Sequence, residues 1–236
     1  KIPWQTCGMS RPRRSHAEAR AQMREGILRL GNEQLAEVGA PALSVREIAR
    51  GLGVASSAIY RHVANRDDLL TLLIVDAYRD LAESALYEVD QRAPTARQLA
   101  AIATGMRRWA IANPARWALA YGSPVPGYSA PAEQTNGPGT LVMAAFLRAI
   151  SAGKSVRPDG VPRASPSLRD ELLAGAEEFG IDADPEVGVA ALGAWTGLIG
   201  LISAEVFQQL GPELASHGEE LLARWIAETV ARFGLR

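Results

Sequence analysis

Five polar side chains near residue 60 have the types and spacing needed to contact a nucleic acid. Ser56 and Ser57 are followed closely by Tyr60, Arg61 and His62. Small hydroxyls tolerate close approach, Tyr can reach a phosphate, and Arg and His offer hydrogen-bond donors to base edges. Such a set can read a duplex only if a rigid element holds all five side chains on one surface.

Two short helices around a glycine would provide that element. Ser44 and Glu47 have the spacing of a capping box, which predicts the start of a first helix. The apolar positions of this helix share one face: Val45, Ile48, Ala49 and Leu52. Gly53 permits a tight turn. A second helix would then point Ile59 and Val63 inward and the five polar side chains outward, so the stretch predicts a helix-turn-helix.

This geometry assigns a DNA-contact role to eight residues. They are Ser44, Arg46, Ser56, Ser57, Tyr60, Arg61, His62 and Arg66. Ser57, Arg61 and His62 are expected nearest to base edges in the major groove. Four others are expected to contact phosphates: Ser44, Arg46, Tyr60 and Arg66.

Four short segments in this stretch form an ordered motif. They are Ile48-Ala49, Gly53-Val54, Ser-Ser-Ala-Ile-Tyr at residues 56–60 and Arg-Asp-Asp-Leu-Leu at residues 66–70. With them, residues 14–70 resemble the DNA-binding domain of TetR-family transcriptional repressors. Two positions depart from the family pattern, since Val63 stands where Phe is usual and Arg66 where Lys is frequent. The resemblance implies a homodimer on a palindromic operator and a body that binds a small ligand.

The charge distribution agrees with a DNA-binding head. The chain has 236 residues and a formal net charge of −1. Residues 1–66 contain 11 Lys or Arg and 5 Glu, a net charge of +6, whereas residues 67–236 contain 14 basic and 21 acidic residues, a net charge of −7. The positive half coincides with the predicted helix-turn-helix, where it would supply non-specific affinity for DNA.

Other classes of function find no support in the composition. Cys7 is the only cysteine, which excludes an internal disulfide and indicates a reducing, cytoplasmic setting. The three histidines are far apart in sequence, so we expect no metal site. Patterns for nucleophilic catalysis or for phosphate and dinucleotide binding are absent, and we therefore expect neither an enzyme nor a cofactor.

The chain divides into three parts, all of them helical or irregular. Residues 1–15 form a basic arm, either solvated and disordered or inserted into an A·T-rich minor groove. Residues 16–66 form the DNA-binding domain, whose first helix is predicted over residues 16–38. Residues 67–236 form a ligand-binding and dimerisation domain, joined to the head by a long amphipathic helix over residues 66–90. No alternation typical of strands appears, so the fold class is all-α.

The body contains aromatic and Met residues that could line a ligand pocket. They are Met106, Trp109, Trp117, Tyr121, Met143, Phe146 and Trp195. Ordinary core packing is the competing interpretation for each of them. The Pro-rich run over residues 122–128, with Ala120-Tyr121-Gly122 before it, resembles the TetR subgroup named for a Trp-His-Gly signature, which implies a small apolar or aromatic ligand.

An uncharged stretch between Glu186 and Glu205 predicts a helix contact. It is long enough for a membrane span, but its glycines dilute the hydrophobicity and basic flanks are missing, so we expect no membrane association. Gly193, Gly197 and Gly200 recur at helical spacing and would let another helix approach closely. With a helix predicted over residues 213–233, they predict a four-helix bundle across a two-fold axis, or alternatively an internal core pair.

Two functions from different classes remain. The first is a homodimeric repressor released by a ligand. The second is a ligand-independent, architectural DNA-binding protein whose body only dimerises. The two differ in whether the body holds a ligand cavity.

Overall fold

The structure is a computed structural model that describes residues 15–154, 162–182 and 184–236. The arm expected over residues 1–15 lies, apart from Ser15, outside the described residues. The described residues form twelve α-helices and no strand, so the all-α prediction is confirmed. The helices are α1 His16–Val38, α2 Val45–Gly51, α3 Ser56–Ile59, α4 Arg66–Leu86, α5 Thr95–Ala112, α6 Pro114–Tyr121, α7 Ala132–Gly139, α8 Leu141–Ser151, α9 Pro166–Glu178, α10 Pro185–Val206, α11 Gly211–Ala215 and α12 Gly218–Phe233.

Helices α1 to α3 and the first turns of α4 enclose one apolar core. Its buried members are Ile27, Leu35, Leu43, Val45, Ile48, Ala49, Ile59, Val63, Leu69, Leu70 and Leu73. Helix α1 has the predicted bounds. Helix α4 continues from this core into a second one, so the predicted domain boundary at residue 66 falls at the start of a helix that both parts share.

The start of α2 differs in one detail from the capping box that Ser44 predicts. The Ser44 hydroxyl accepts a hydrogen bond from the Glu47 amide, as expected. The second bond of the predicted capping box, from the Ser44 amide to the Glu47 side chain, does not form. The Ser44 amide donates instead to Oε1 of Gln34 at 3.0 Å, and the Glu47 carboxylate pairs with Arg50. Gln34 is on α1, so it anchors α2 to α1 where a local bond was expected.

Helix α4 ends at Leu86, four residues before the predicted end at Asp90. The Asp90 side chain accepts a hydrogen bond from the amide of Arg92, which stabilises a turn in place of another helical turn. Tyr87 is 85% exposed, so continuing the helix would bury little there.

The second core lies between α4, α5, α6, α8, α10 and α12. Its largest buried side chains include Trp117 and Phe146, both fully buried. Gly105 lets α5 approach α4 closely, because a Cβ there would lie 2.7 Å from the Cα of Ala85. The body is therefore built tightly onto the helix that carries the head.

The prediction of a single helix over residues 213–233 is wrong. The chain forms two helices, α11 and α12, with a break at Ser216 and His217. A close contact lies at the end of the break. Glu205 forms two hydrogen bonds with Arg107, at 2.8 and 2.6 Å, and its carboxylate occupies the space where a Cβ of Gly218 would project. Helix α12 begins at Gly218, the residue that lets the chain pass this ion pair.

Helix α10 is apolar enough, with a mean hydropathy of 1.8, to meet a composition test for a membrane span. Its buried side chains, among them Trp195, Leu198 and Ile202, lie in the body core. A Cβ on Gly193 or Gly200 would meet no atom within 4 Å, so these two glycines face open space. The helix thus has one core face and one face without a neighbour in the described part of the chain.

Candidate nucleic-acid interface and ligand site

The predicted reading surface is present on the outside of the head. Ser56, Ser57, Tyr60, Arg61 and His62 are all exposed. Their backbone is held from below, since Ile59 is fully buried and Val63 is 2% exposed. The apolar positions thus anchor the segment and leave the polar side chains free to enter a groove.

The helical part of this surface is shorter than the sequence predicts. Helix α3 covers Ser56–Ile59, and the backbone continues through a turn in which the amides of His62 and Val63 donate to the carbonyl of Ile59 at 2.8 and 3.0 Å. These bonds keep Tyr60, Arg61 and His62 in helix-like positions. All five polar side chains therefore remain on one surface.

Of the residues expected on phosphates, Arg46 is exposed at the start of α2, and Ser44 is half-buried as the N-cap of that helix. Arg66 is more constrained. Its Nη2 donates to the carbonyl of Ala40 at 3.0 Å, and its side chain is 32% exposed. Arg66 therefore ties the start of α4 to the turn after α1, a structural role that the sequence does not indicate.

A polar cluster centred on Arg116 joins the head to the body. Nη2 of Arg116 donates to Oδ2 of Asp76 at 2.8 Å, and Nη1 donates to Oδ2 of Asp80. Asn32 on α1 donates to Asp76, and the indole of Trp109 on α5 donates to Asp80 at 3.0 Å. The Arg116 guanidinium also lies 5.3 Å from the centre of the Trp109 ring. One side chain of α6 thereby links α1, α4 and α5.

Sequence reasoning did not identify this cluster, although it contains a usable signal. Asp76 and Asp80 are four residues apart within the apolar pattern of α4. Acids on the buried face of a helix require a partner, because burying an unpaired charge is costly. That partner, Arg116, is 36 residues beyond Asp80 and could not be chosen from sequence spacing.

The residues predicted to line a ligand pocket lie in the second core. Met106, Trp109, Trp117, Phe146 and Trp195 are buried, and Tyr121 and Met143 are half-buried. They pack against one another: Trp117 and Tyr121 have ring centres 4.5 Å apart, and Phe146 and Trp195 have ring centres 5.3 Å apart. Their role in ligand binding stays a prediction.

An open cleft lies instead where the body meets the head. We call it the junction cleft; it has a volume of about 490 Å³ between α4, the 122–130 loop and the end of α7. Tyr78 and Tyr128 line it, and burial raises the pKa of both phenols. Burial also raises the pKa of Tyr121, which packs on Tyr78 outside the cleft.

Comparison with known proteins agrees with this architecture. Residues 27–73 match the family described as bacterial regulatory proteins of the tetR family, and residues 99–229 match the family described as the tetracyclin repressor-like C-terminal domain. The HTH-type transcriptional regulators Rv1816 of Mycobacterium tuberculosis and Mb1846 of Mycobacterium bovis are each 43% identical over 217 residues, which are 89% of this chain and 90% of theirs.

Solved structures show the same fold. The protein SCO4313 is 29% identical, with a TM-score of 0.74 over 92% of this chain and 100% of its own. FadR from Bacillus subtilis, solved in complex with stearoyl-CoA, shares the fold at 15% identity, with a TM-score of 0.50 over 86% of this chain and 97% of its own. The Trp-His-Gly subgroup is not named by these matches and stays a prediction. With matches in both its DNA-binding and its C-terminal part, the chain belongs to the TetR family of helix-turn-helix transcriptional regulators.

Proposed function

We propose that this DNA-binding regulator is a homodimeric repressor that binds a palindromic operator and is released by a small molecule bound in its body. The observation that carries the DNA-binding part is the row of exposed polar side chains, residues 56–62, held by the buried Ile59 and Val63. We further infer that it works in the cytoplasm as a regulator, with no membrane association and no enzymatic role.

The DNA face can be tested by separating base contacts from phosphate contacts. Arg61→Ala should cost about 1–3 kcal/mol of binding free energy and relax the sequence preference, because a bidentate Arg discriminates between bases. Arg46→Ala should weaken binding to all duplexes alike and reduce the salt slope by about one. Arg46 is a cleaner phosphate variant than Arg66, because Arg66 also holds the Ala40 carbonyl.

These affinities can be measured by gel shift on duplexes that the protein itself selects from a random pool, at several salt concentrations. Arg97→Ala is the control. Arg97 is exposed at the start of α5, which follows the end of α4 that lies far from the head. If Arg61→Ala and Arg46→Ala both bind like the unmodified protein, this face does not contact DNA.

The proposed dimer uses the outer faces of α10 and α12. Within one chain, α10 already packs on α12, and a Cβ at Gly197 would lie 3.4 Å from Nε1 of Trp225. Gly193 and Gly200 have no such neighbour, and Leu192 beside them is 42% exposed. Internal pairing therefore accounts for Gly197 but leaves an apolar, small-residue face for a second copy.

Gly200→Leu should weaken the dimer without a clash inside the chain. Overpacking a tight helix contact costs about 1–3 kcal/mol, which corresponds to a dissociation constant roughly 5 to 150 times larger. Sedimentation equilibrium measures this constant. Gly137→Leu is the control, because its Cβ also meets open space but on α7. A monomeric unmodified protein at micromolar concentration would contradict the dimer and, with it, the palindromic operator.

The alternative function, a ligand-independent architectural protein, predicts that operator affinity stays constant when the body is occupied. A ligand can release the protein from DNA only if it binds the DNA-free arrangement more tightly than the DNA-competent one. The junction cleft favours the ligand-responsive repressor, because its lining is uncharged and residues of its wall pack against the head core.

A further inference from the structure

We propose that the junction cleft is the effector site and that it takes a small uncharged molecule with an apolar body and at least one hydrogen-bonding group. This inference rests on the proposed ligand-responsive function and names the site and the ligand class. It places the effector beside the head, outside the aromatic core that sequence reasoning favoured.

The size and walls of the cleft suit a small organic molecule. Its volume of about 490 Å³ falls within the range of ligand pockets, about 300–1,000 Å³. Ile74 of α4, Leu119 of α6 and Val125 of the 122–130 loop supply apolar surface. The aromatic core nearby is filled by its own side chains, whereas this cleft is open.

The chemistry of the lining selects an uncharged molecule. The described residues that line the cleft include no Lys, Arg, His, Asp or Glu, so a carboxylate or phosphate would lose water without gaining a counter-ion. The two phenols stay neutral, because burial raises the pKa of Tyr78 and Tyr128.

Three polar side chains in the lining are free to bind a ligand. Ser123, Ser129 and Asn136 line the cleft, and within the described residues their side chains form no hydrogen bond. Two hydroxyls and an amide can both donate and accept hydrogen bonds. A carbonyl, hydroxyl or amide on the ligand would therefore find a partner.

The wall of the cleft is mechanically connected to the head. Leu119, Val125 and Tyr128 pack against the head core. The Tyr128 hydroxyl lies 2.9 Å from Oγ1 of Thr71, which donates to the carbonyl of Asp67 in the first turn of α4. A molecule that displaces Tyr128 would thus disturb the turn of α4 that follows the reading surface.

The 122–130 loop also borders a second space. This is an apolar groove of about 500 Å³, lined by residues 122–126 of the loop, by the end of α1, by Pro41 and by Phe207. Residues 122–125 of the loop border both the cleft and this groove, so this part of the loop has space to shift when the cleft fills. The same movement would change the contact between α1 and α6.

The ligand class can be tested by photolabelling the full chain with 4-(hydroxymethyl)benzophenone, which is neutral. 4-Benzoylbenzoic acid is a matched probe that carries a carboxylate. Peptide mapping should place the neutral label within residues 119–140 or on α4, with at least tenfold less label from the acid. Equal labelling by both probes, labelling of the aromatic core around Phe146, or no labelling at millimolar probe would each overturn the assignment.

Coupling to DNA can be tested by filling the cleft covalently. In a Cys7→Ser background, Ala120→Cys places the single thiol in the cleft wall, and Ala132→Cys places it on the exposed start of α7, outside the lining. Reaction with N-phenylmaleimide should lower operator affinity at least tenfold at position 120 and leave it unchanged at position 132. Ser123→Cys provides a second position if Ala120→Cys does not fold.

The outcomes separate this inference from the proposed function. An unmodified protein that does not dimerise or bind a selected palindrome contradicts the proposed repressor itself. A protein that binds its operator equally well with and without the phenyl adduct at residues 120 and 123 contradicts only the effector site at the junction cleft.

Discussion

Arg116→Met should lower the free energy of unfolding by about 2–3 kcal/mol. The Arg116 side chain is 14% exposed and neutralises Asp76 and Asp80, so its loss leaves two carboxylates without their cation. Removing one partner of a buried ion pair typically costs about 3–5 kcal/mol. We expect a smaller loss here, because both carboxylates retain contact with solvent. Urea denaturation measures the change.

Arg108→Met is the matched control for this variant. Arg108 on α5 pairs with Glu88 at 3.0 Å, but both side chains are more than half exposed. Exposed pairs contribute at most about 1 kcal/mol. Equal stability losses in the two variants would show that the Arg116 cluster is no stronger than a surface pair and does not hold α6 to α4.

Phe146→Ala should cost about 3–5 kcal/mol of stability. The Phe146 side chain is fully buried, with its ring centre 5.3 Å from that of Trp195 and 6.3 Å from that of Trp225, so truncation leaves a cavity in a close-packed core. Leu141→Ala on the same helix should cost much less, because Leu141 is 47% exposed.

Phe146→Ala also decides whether the aromatic core is ordinary packing or a ligand pocket. If Phe146 borders a natural ligand pocket, its truncation should enlarge a space that is already open and cost only the lost burial of the ring, about 1.5–3 kcal/mol. A loss of that size in thermal or urea denaturation would favour the core pocket and count against the junction cleft.

The sequence predicts the head better than the body, and the difference has a physical cause. The start of α1 depends on Ser15 and Glu18, which bond each other's backbone three residues apart. In the body, the space that requires a glycine at residue 218 is occupied by Glu205, which is thirteen residues earlier and is held by Arg107.

The candidate sites show the same division. The residues of the reading surface follow one another on a single short segment, so helical spacing alone places them outward. The junction cleft is formed by α4, α6 and α7, and the bond between Thr71 and Tyr128 spans 57 residues. Periodicity identifies which side chains are apolar but not which of them leave a space between helices.

The stacked rings beside the junction cleft give the protein an intrinsic optical reporter. Trp117 lies against Tyr121, and Tyr121 contacts Tyr78 edge to face at 6.0 Å between ring centres. Tyr78 lines the cleft, so an occupant that shifts its ring also changes the surroundings of a fully buried indole two rings away. The tryptophan emission and the near-ultraviolet circular dichroism of the protein should therefore respond to occupancy without any attached dye, and Tyr121→Leu should remove most of that response.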